Sequence, residues 1–76
     1  MNNRYSLNIV LANQEADQTR LGVKLGKKCI KLGVSVAKVA ATLGVSRQTV
    51  YNWFIGAYDP KPELTDDIKD LIKTLK

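Results

Sequence analysis

Hydrophobic residues recur along this sequence at spacings of three and four, and a helix places such positions on one face. The clearest stripe lies near the C-terminus and predicts a helix over residues 63–75, because Pro60 and Pro62 bar an earlier start. Acidic residues in its first turns and lysines in its last turn suit the helix dipole. The stripe consists of Leu64, Ile68, Leu71, Ile72 and Leu75.

Two shorter helices are predicted in the middle of the chain. Ser35 is a favourable N-cap for a helix over residues 35–43, and Gly44 ends it because glycine adopts a positive φ without strain. Ser46 then caps a second helix over residues 46–55. The two helices are separated by about three residues around a glycine, which is the spacing of a helix-turn-helix.

A longer helix is predicted upstream, over residues 17–32. Gly22 and Gly26 within it each cost about 1 kcal/mol relative to alanine, unless they mark a close approach to another helix. Residues 1–16 form a separate N-terminal segment, either a short helix or a β-arm, because their apolar positions fit both periods. Together these elements predict one all-α domain over residues 17–76, a compact bundle of four to five helices.

The helix-turn-helix assigns a physical role to each of its core positions. Ala40 is small because the second helix crosses close above it, and Gly44 adopts the backbone geometry of the turn. Val45, Val50 and Trp53 are predicted to reach the core from the far side.

Four polar side chains are left on the opposite face of the second helix. Arginine pairs bidentately with guanine, and asparagine or glutamine pairs with adenine, so three of the four are residue types that read base edges. These residues are Arg47, Gln48, Tyr51 and Asn52.

Residues 36–60, VAKVAATLGVSRQTVYNWFIGAYDP, resemble the Cro/C1-type helix-turn-helix of phage and bacterial repressors. The C-terminal stripe resembles the next core helix of that family, so the resemblance covers roughly residues 20–75. It implies a lambda-repressor-like bundle that binds double-stranded DNA sequence-specifically as a transcriptional regulator, here a repressor. It also implies a homodimer on a palindromic operator. The match runs through Ala40, Gly44, Val45, Ser46, Val50, Trp53, Gly56 and Pro60.

The resemblance implies roles for individual residues of this chain. Arg47, Gln48 and Asn52 occupy its main base-reading positions, with Tyr51 beside them. We expect a second group to contact the DNA backbone, namely Ser35, Lys38, Ser46, Thr49 and Tyr58.

Two other functions remain open. Residues 45–53 also resemble DNA-recognition modules of recombinases, transposases and terminases, which would need a partner protein for catalysis. The chain could alternatively be a protein-binding adaptor or antitoxin that uses a helical face to bind an acidic protein.

The charge distribution favours a polyanionic partner. The 76 residues carry 12 Lys+Arg and 7 Asp+Glu, a formal net charge of +5, and residues 18–58 hold seven basic residues and no acidic one. A basic block in a foldable sequence is typical of nucleic-acid binding. We expect this block to form a phosphate-binding frame around the base-reading helix, although a solvated lysine face is the alternative. Its members are Arg20, Lys24, Lys27, Lys28, Lys31, Lys38 and Arg47.

The residue types that this sequence lacks limit the functions that remain possible. Histidine, the commonest general base, is missing, and the single Cys29 cannot form a cysteine-rich metal site. We therefore expect neither an enzyme nor a bound metal or cofactor. The longest apolar run near the N-terminus, residues 9–12, is too short for a signal peptide or a membrane span. A bacterial cytoplasmic protein of phage or plasmid type is expected, without a small-molecule effector.

Overall fold

The computed structural model describes residues 5–75, and every regular element in this range is helical. The all-α prediction is therefore confirmed, with five α-helices in the described range. None of them is both long enough and apolar enough to cross a bilayer. The elements are α1 (Leu7–Glu15), α2 (Leu21–Leu32), α3 (Val36–Leu43), α4 (Arg47–Phe54), a 3-10 turn (Pro62–Leu64) and α5 (Thr65–Thr74).

Serine hydroxyls cap the N-termini of three helices. Ser6 accepts from the backbone N–H of Ile9 at 3.3 Å, and Ser35 accepts from that of Lys38 at 3.1 Å. Ser46 caps α4 in the same way. Each bond satisfies one of the N–H groups that lack a partner at a helix start, which is why these short helices begin where serine stands.

Two helices begin later than the hydrophobic spacing predicts. The helix expected from residue 17 begins at Leu21, because Asp17 closes a turn instead. Its carboxylate accepts from the backbone N–H of Thr19 at 2.9 Å and from the hydroxyl at 2.6 Å, and these bonds lower the pKa of Asp17. The helix expected from residue 63 begins as the 3-10 turn, a common form of a first turn, and α5 follows from Thr65.

The N-terminal segment joins the bundle as a helix and not as a β-arm. Ahead of α1, Tyr5 is 7% exposed, and its ring lies 6.0 Å from that of Phe54 between centroids. The Tyr5 hydroxyl donates to the carbonyl of Val34. Residues 1–4 of the predicted segment lie outside the described residues.

The core lies around α2, which packs against α1, α4 and α5. Leu25 and Cys29 of α2 are fully buried together with Val50 and Phe54 of α4 and Ile68 of α5. Burial raises the pKa of the Cys29 thiol to about 11, so this cysteine is a small apolar core residue and not a reactive thiolate.

Candidate nucleic-acid interface

The turn between α3 and α4 has helix-turn-helix geometry. Gly44 adopts the left-handed region with φ of 69°, which a β-carbon would disfavour. The backbone N–H groups of Gly44 and Val45 both donate to the carbonyl of Ala40, the latter at 3.0 Å. Ala40 is 5% exposed and Val45 is half-buried against the core. These bonds close α3 and direct the chain into α4.

The two faces of α4 differ sharply in burial. Val50, Trp53 and Phe54 lie in the core, with exposures of 0%, 3% and 0%. Arg47 and Gln48 are exposed. Because successive residues rotate by about 100° around a helix, the buried face fixes which side chains point outward. By this rotation Gln48 and Asn52 point away from the buried face, whereas Arg47 lies about 20° from Phe54 and is exposed as the first residue of α4.

Gln48 and Asn52 form a pair at the centre of that outer face. The side-chain amide of Gln48 donates to Oδ1 of Asn52 at 3.2 Å. This bond uses one N–H of Gln48 and leaves its carbonyl oxygen and the amide group of Asn52 for other partners. Tyr51 and Asn52 are half-buried, so the outer face is less exposed to solvent toward the C-terminal end of α4.

Two glycines of α2 lie where α4 packs against that helix. A β-carbon on Gly22 would lie 2.7 Å from Cβ of Trp53, and one on Gly26 would lie 2.7 Å from Cγ of Phe54. Contacts this short do not occur between real β-carbons and their neighbours. The glycines therefore allow the close helix approach that the sequence left as one of two options.

Asn13 is a positioning residue that the sequence analysis missed. It is 2% exposed, and its side-chain amide donates to the carbonyl of Phe54 at 2.7 Å and to that of Val23 at 3.2 Å. The Phe54 carbonyl lies in the last turn of α4, where carbonyls have no partner within their own helix. The only signal in the sequence was spacing, because Asn13 continues the helical face of Ile9 and Val10.

The segment after α4 folds back along that helix. The carbonyl of Asn52 accepts from the N–H of Ala57 at 2.9 Å and from that of Tyr58 at 3.4 Å. Tyr58 is 66% exposed beside α4. A groove of about 520 Å³ separates this segment from α4, and Ser46, Thr49, Asn52, Tyr58 and Lys61 are among the residues that line it. The hydroxyls of Ser46 and Thr49 lie 2.8 Å apart at its edge.

Ser35 and Lys38 lie in the first turn of α3. The oxygen of Ser35 already accepts the capping bond from Lys38, so its hydroxyl hydrogen remains available to a phosphate. The Lys38 side chain is exposed.

Arg20 has a different role from the one its charge suggested. Its Nε donates to Oδ1 of Asp59 at 2.8 Å, and its Nη1 donates to the carbonyl of Gly56. The guanidinium lowers the pKa of Asp59, and the carboxylate raises that of Arg20. Arg20 thus ties the start of α2 to the segment after α4, and its charge is compensated within the fold.

The four lysines of α2 do not surround the outer face of α4. At about 100° per residue, their mean direction lies about 170° around the helix from the glycines that face α4. The expectation of a single phosphate-binding frame around α4 is therefore wrong for these residues. They are Lys24, Lys27, Lys28 and Lys31.

In a comparison with protein families, the homeodomain-like domain matches residues 18–55. This range is half of the chain and contains α2, α3 and α4. No curated protein and no solved structure matches the sequence. The Cro/C1 type is not the family that the match names. With the helix-turn-helix geometry of α3 and α4, the match shows that the chain belongs to the homeodomain-like domain family, a DNA-binding helix-turn-helix family.

Proposed function

We propose that this protein is a sequence-specific double-stranded DNA-binding regulator of transcription that reads the major groove with α4. One observation carries this proposal, namely that Gln48 and Asn52 lie opposite the buried face of α4 and that Arg47 is exposed at the first residue of the same helix. A helix fits the major groove of B-DNA, and these residue types match the donors and acceptors of guanine and adenine there.

In the proposed complex, the N-terminal end of α4 meets the base edges. Arg47 is the first residue of α4, so its guanidinium reaches deepest and pairs bidentately with a guanine. Gln48 and Asn52 already share a hydrogen bond, which orients both amides toward adjacent bases. Tyr51 lies next to Arg47 around the helix and contacts a neighbouring base or sugar.

Backbone contacts come from two places in this proposal. Ser35 and Lys38 hold a phosphate at the first turn of α3, because the first helix of this motif crosses the DNA backbone. Ser46, Thr49 and Tyr58 line the groove beside α4 and hold a phosphate there.

We propose a homodimer on a palindromic operator, because a single motif of this size makes few base contacts. Leu7 and Leu11 lie one turn apart on α1 and are 70% and 44% exposed, which makes this helix the proposed dimer surface. A small repressor of the Cro/C1 kind, acting in a bacterial cytoplasm, is the biological setting that fits these features.

In vitro selection from a random duplex library tests the proposal. We expect enrichment of a palindrome whose half-sites lie about 34–36 Å apart. Affinity for the selected site is expected to fall with salt, with a log–log slope of about −0.9 per phosphate contacted. Selection of an asymmetric site would favour the DNA-recognition module of a recombinase, transposase or terminase complex. No enrichment, or binding that salt does not weaken, would contradict DNA recognition and favour a protein-binding adaptor or antitoxin.

A further inference from the structure

The outer face of α2 is a concentrated cationic surface that the proposed DNA complex does not use. Four of the twelve residues of this helix are lysines, and none is acidic. They occupy positions i, i+3, i+4 and i+7, so they share one face over about 10 Å of helix axis. Within residues 5–75, none of the four forms an ion pair. This surface, formed by Lys24, Lys27, Lys28 and Lys31, is called the α2 lysine face below.

Solubility does not account for this arrangement. A surface with both signs interspersed, as in α5 where aspartates and lysines alternate, supplies charge without a large field of one sign. On α2 the four cations repel each other across neighbouring turns, which opposes folding. An anionic partner would relieve this repulsion.

The shape of the α2 lysine face fits a phosphate backbone better than a protein. A shallow groove of about 400 Å³ lies on it, lined by Gln18, the four lysines and Leu32. Leu32 is the only apolar residue of this lining, whereas protein interfaces rely on buried aromatic and apolar anchors. Lysine acts as a compact point charge that binds phosphate without a fixed angular geometry.

We propose that the α2 lysine face binds the sugar–phosphate backbone of a second DNA duplex, independently of sequence. Because this face lies on the side of α2 away from α4, both duplexes can be held at once. A single molecule then bridges two DNA segments, one read by α4 and one held by charge alone. This second site goes beyond the proposed function and does not require base reading by α4.

An NMR titration of the ¹⁵N-labelled full chain tests the second site. One equivalent of a duplex that carries the selected half-site is added first. A duplex of random sequence, about 12 base pairs long, is then added in excess at about 50 mM salt, where phosphate contacts are strong. We expect amides of α3 and α4 to shift over the first equivalent and amides of Lys24–Leu32 to shift over the second. With four phosphate contacts, the second affinity should have a log–log salt slope of about −3.6.

Two variants of equal charge identify the surface. Lys27→Gln/Lys31→Gln and Lys73→Glu both take the formal net charge from +5 to +3, and all three lysines are exposed. We expect the first variant to reduce the slope of the second binding step to about −1.8, because two phosphate contacts are lost. The Lys73→Glu control should leave the slope of the second binding step near about −3.6, because Lys73 lies on α5 and no phosphate contact of the α2 lysine face is lost.

The outcomes separate the two proposals. Unshifted α2 amides, or an equal loss in both variants, would overturn the second site. Shifts confined to α2 would support it while contradicting DNA recognition by α4. A polyglutamate peptide that shifts the α2 amides at lower concentration than the duplex would identify an acidic protein partner and overturn the DNA assignment.

Discussion

The side-chain amide of Asn13 donates a 2.7 Å hydrogen bond to the main-chain carbonyl of Phe54, which ties α1 to the C-terminal end of α4. The same amide also donates a hydrogen bond to the carbonyl of Val23 in α2. One buried polar group therefore fixes three helices relative to one another. The orientation of the proposed base-reading helix depends on a residue that does not face DNA.

Replacement of Asn13 by alanine should lower the free energy of unfolding by about 1–3 kcal/mol, because the carbonyl of Phe54 loses its donor and that of Val23 loses a second one. Urea unfolding followed by the fluorescence of the buried Trp53 measures this change. Asn8→Ala, at an exposed position of the same helix, is the control and should stay within about 0.5 kcal/mol of the wild type. Equal stability of the two variants would show that the Asn13 bonds contribute nothing.

Gly26→Ala should destabilise the protein although alanine favours helix by about 1 kcal/mol. The new methyl group would lie 2.7 Å from Cγ and 2.8 Å from Cβ of Phe54, so α4 must move. Overpacking of this kind costs about 1–3 kcal/mol. Urea unfolding measures the net change in the free energy of unfolding. Lys24→Ala, on the exposed side of α2, should change stability by less than about 0.5 kcal/mol. A more stable Gly26→Ala protein would contradict the close approach.

Substitution of Gly44 tests backbone strain without a steric clash. A β-carbon at Gly44 has no neighbour within 4 Å, but φ is +69°. We expect Gly44→Val to lose about 1–3 kcal/mol of stability while the fold is retained, because the cost is conformational. Asparagine tolerates this region better, so Gly44→Asn should lose less. Thermal unfolding followed by circular dichroism compares the two, and equal losses would argue against strain at the turn.

The Arg20–Asp59 ion pair should make stability sensitive to acid. Arg20 lowers the pKa of Asp59 in the folded state, so the unfolded chain takes up this proton first as the pH falls. The contribution of the pair is present above the unfolded pKa of about 4 and is lost as the pH falls through the folded pKa. The urea midpoint of Asp59→Asn should therefore fall less than that of the wild type between about pH 5 and pH 2.

Asp70→Asn is the control for this experiment, because Asp70 is exposed and forms no ion pair in the described part of the chain. Its acid profile should follow the wild type more closely than that of Asp59→Asn. The reverse order would show that the pair does not couple folding to pH.

Arg47→Ala should lose about 1–3 kcal/mol of affinity for the selected operator and relax the preference at one base pair. Lys38→Ala should weaken operator and random duplex alike and reduce the salt slope by about 0.9, because it removes only a phosphate contact. Fluorescence anisotropy with both duplexes at several salt concentrations measures the two effects. An equal loss on both duplexes for Arg47→Ala would reassign this residue to the DNA backbone.

The sequence by itself determined the local structure and the outer face of α4. Ser35, Gly44 and Ser46 act through bonds and dihedral angles within a few residues, so their roles are readable from spacing. Helical periodicity likewise separates Gln48 and Asn52 from the buried positions of α4, because a helix has a fixed rotation per residue.

Only the tertiary structure decided what each helix packs against. Periodicity shows that a face is buried but not which neighbour buries it, so the approach of Gly26 to Phe54 and the bonds of Asn13 were not predictable. The positions of charged residues in a sequence likewise do not show which way their side chains point in the fold. The fold compensates Arg20 with Asp59 and turns the α2 lysine face away from α4, which divides one basic block of the sequence among separate surfaces.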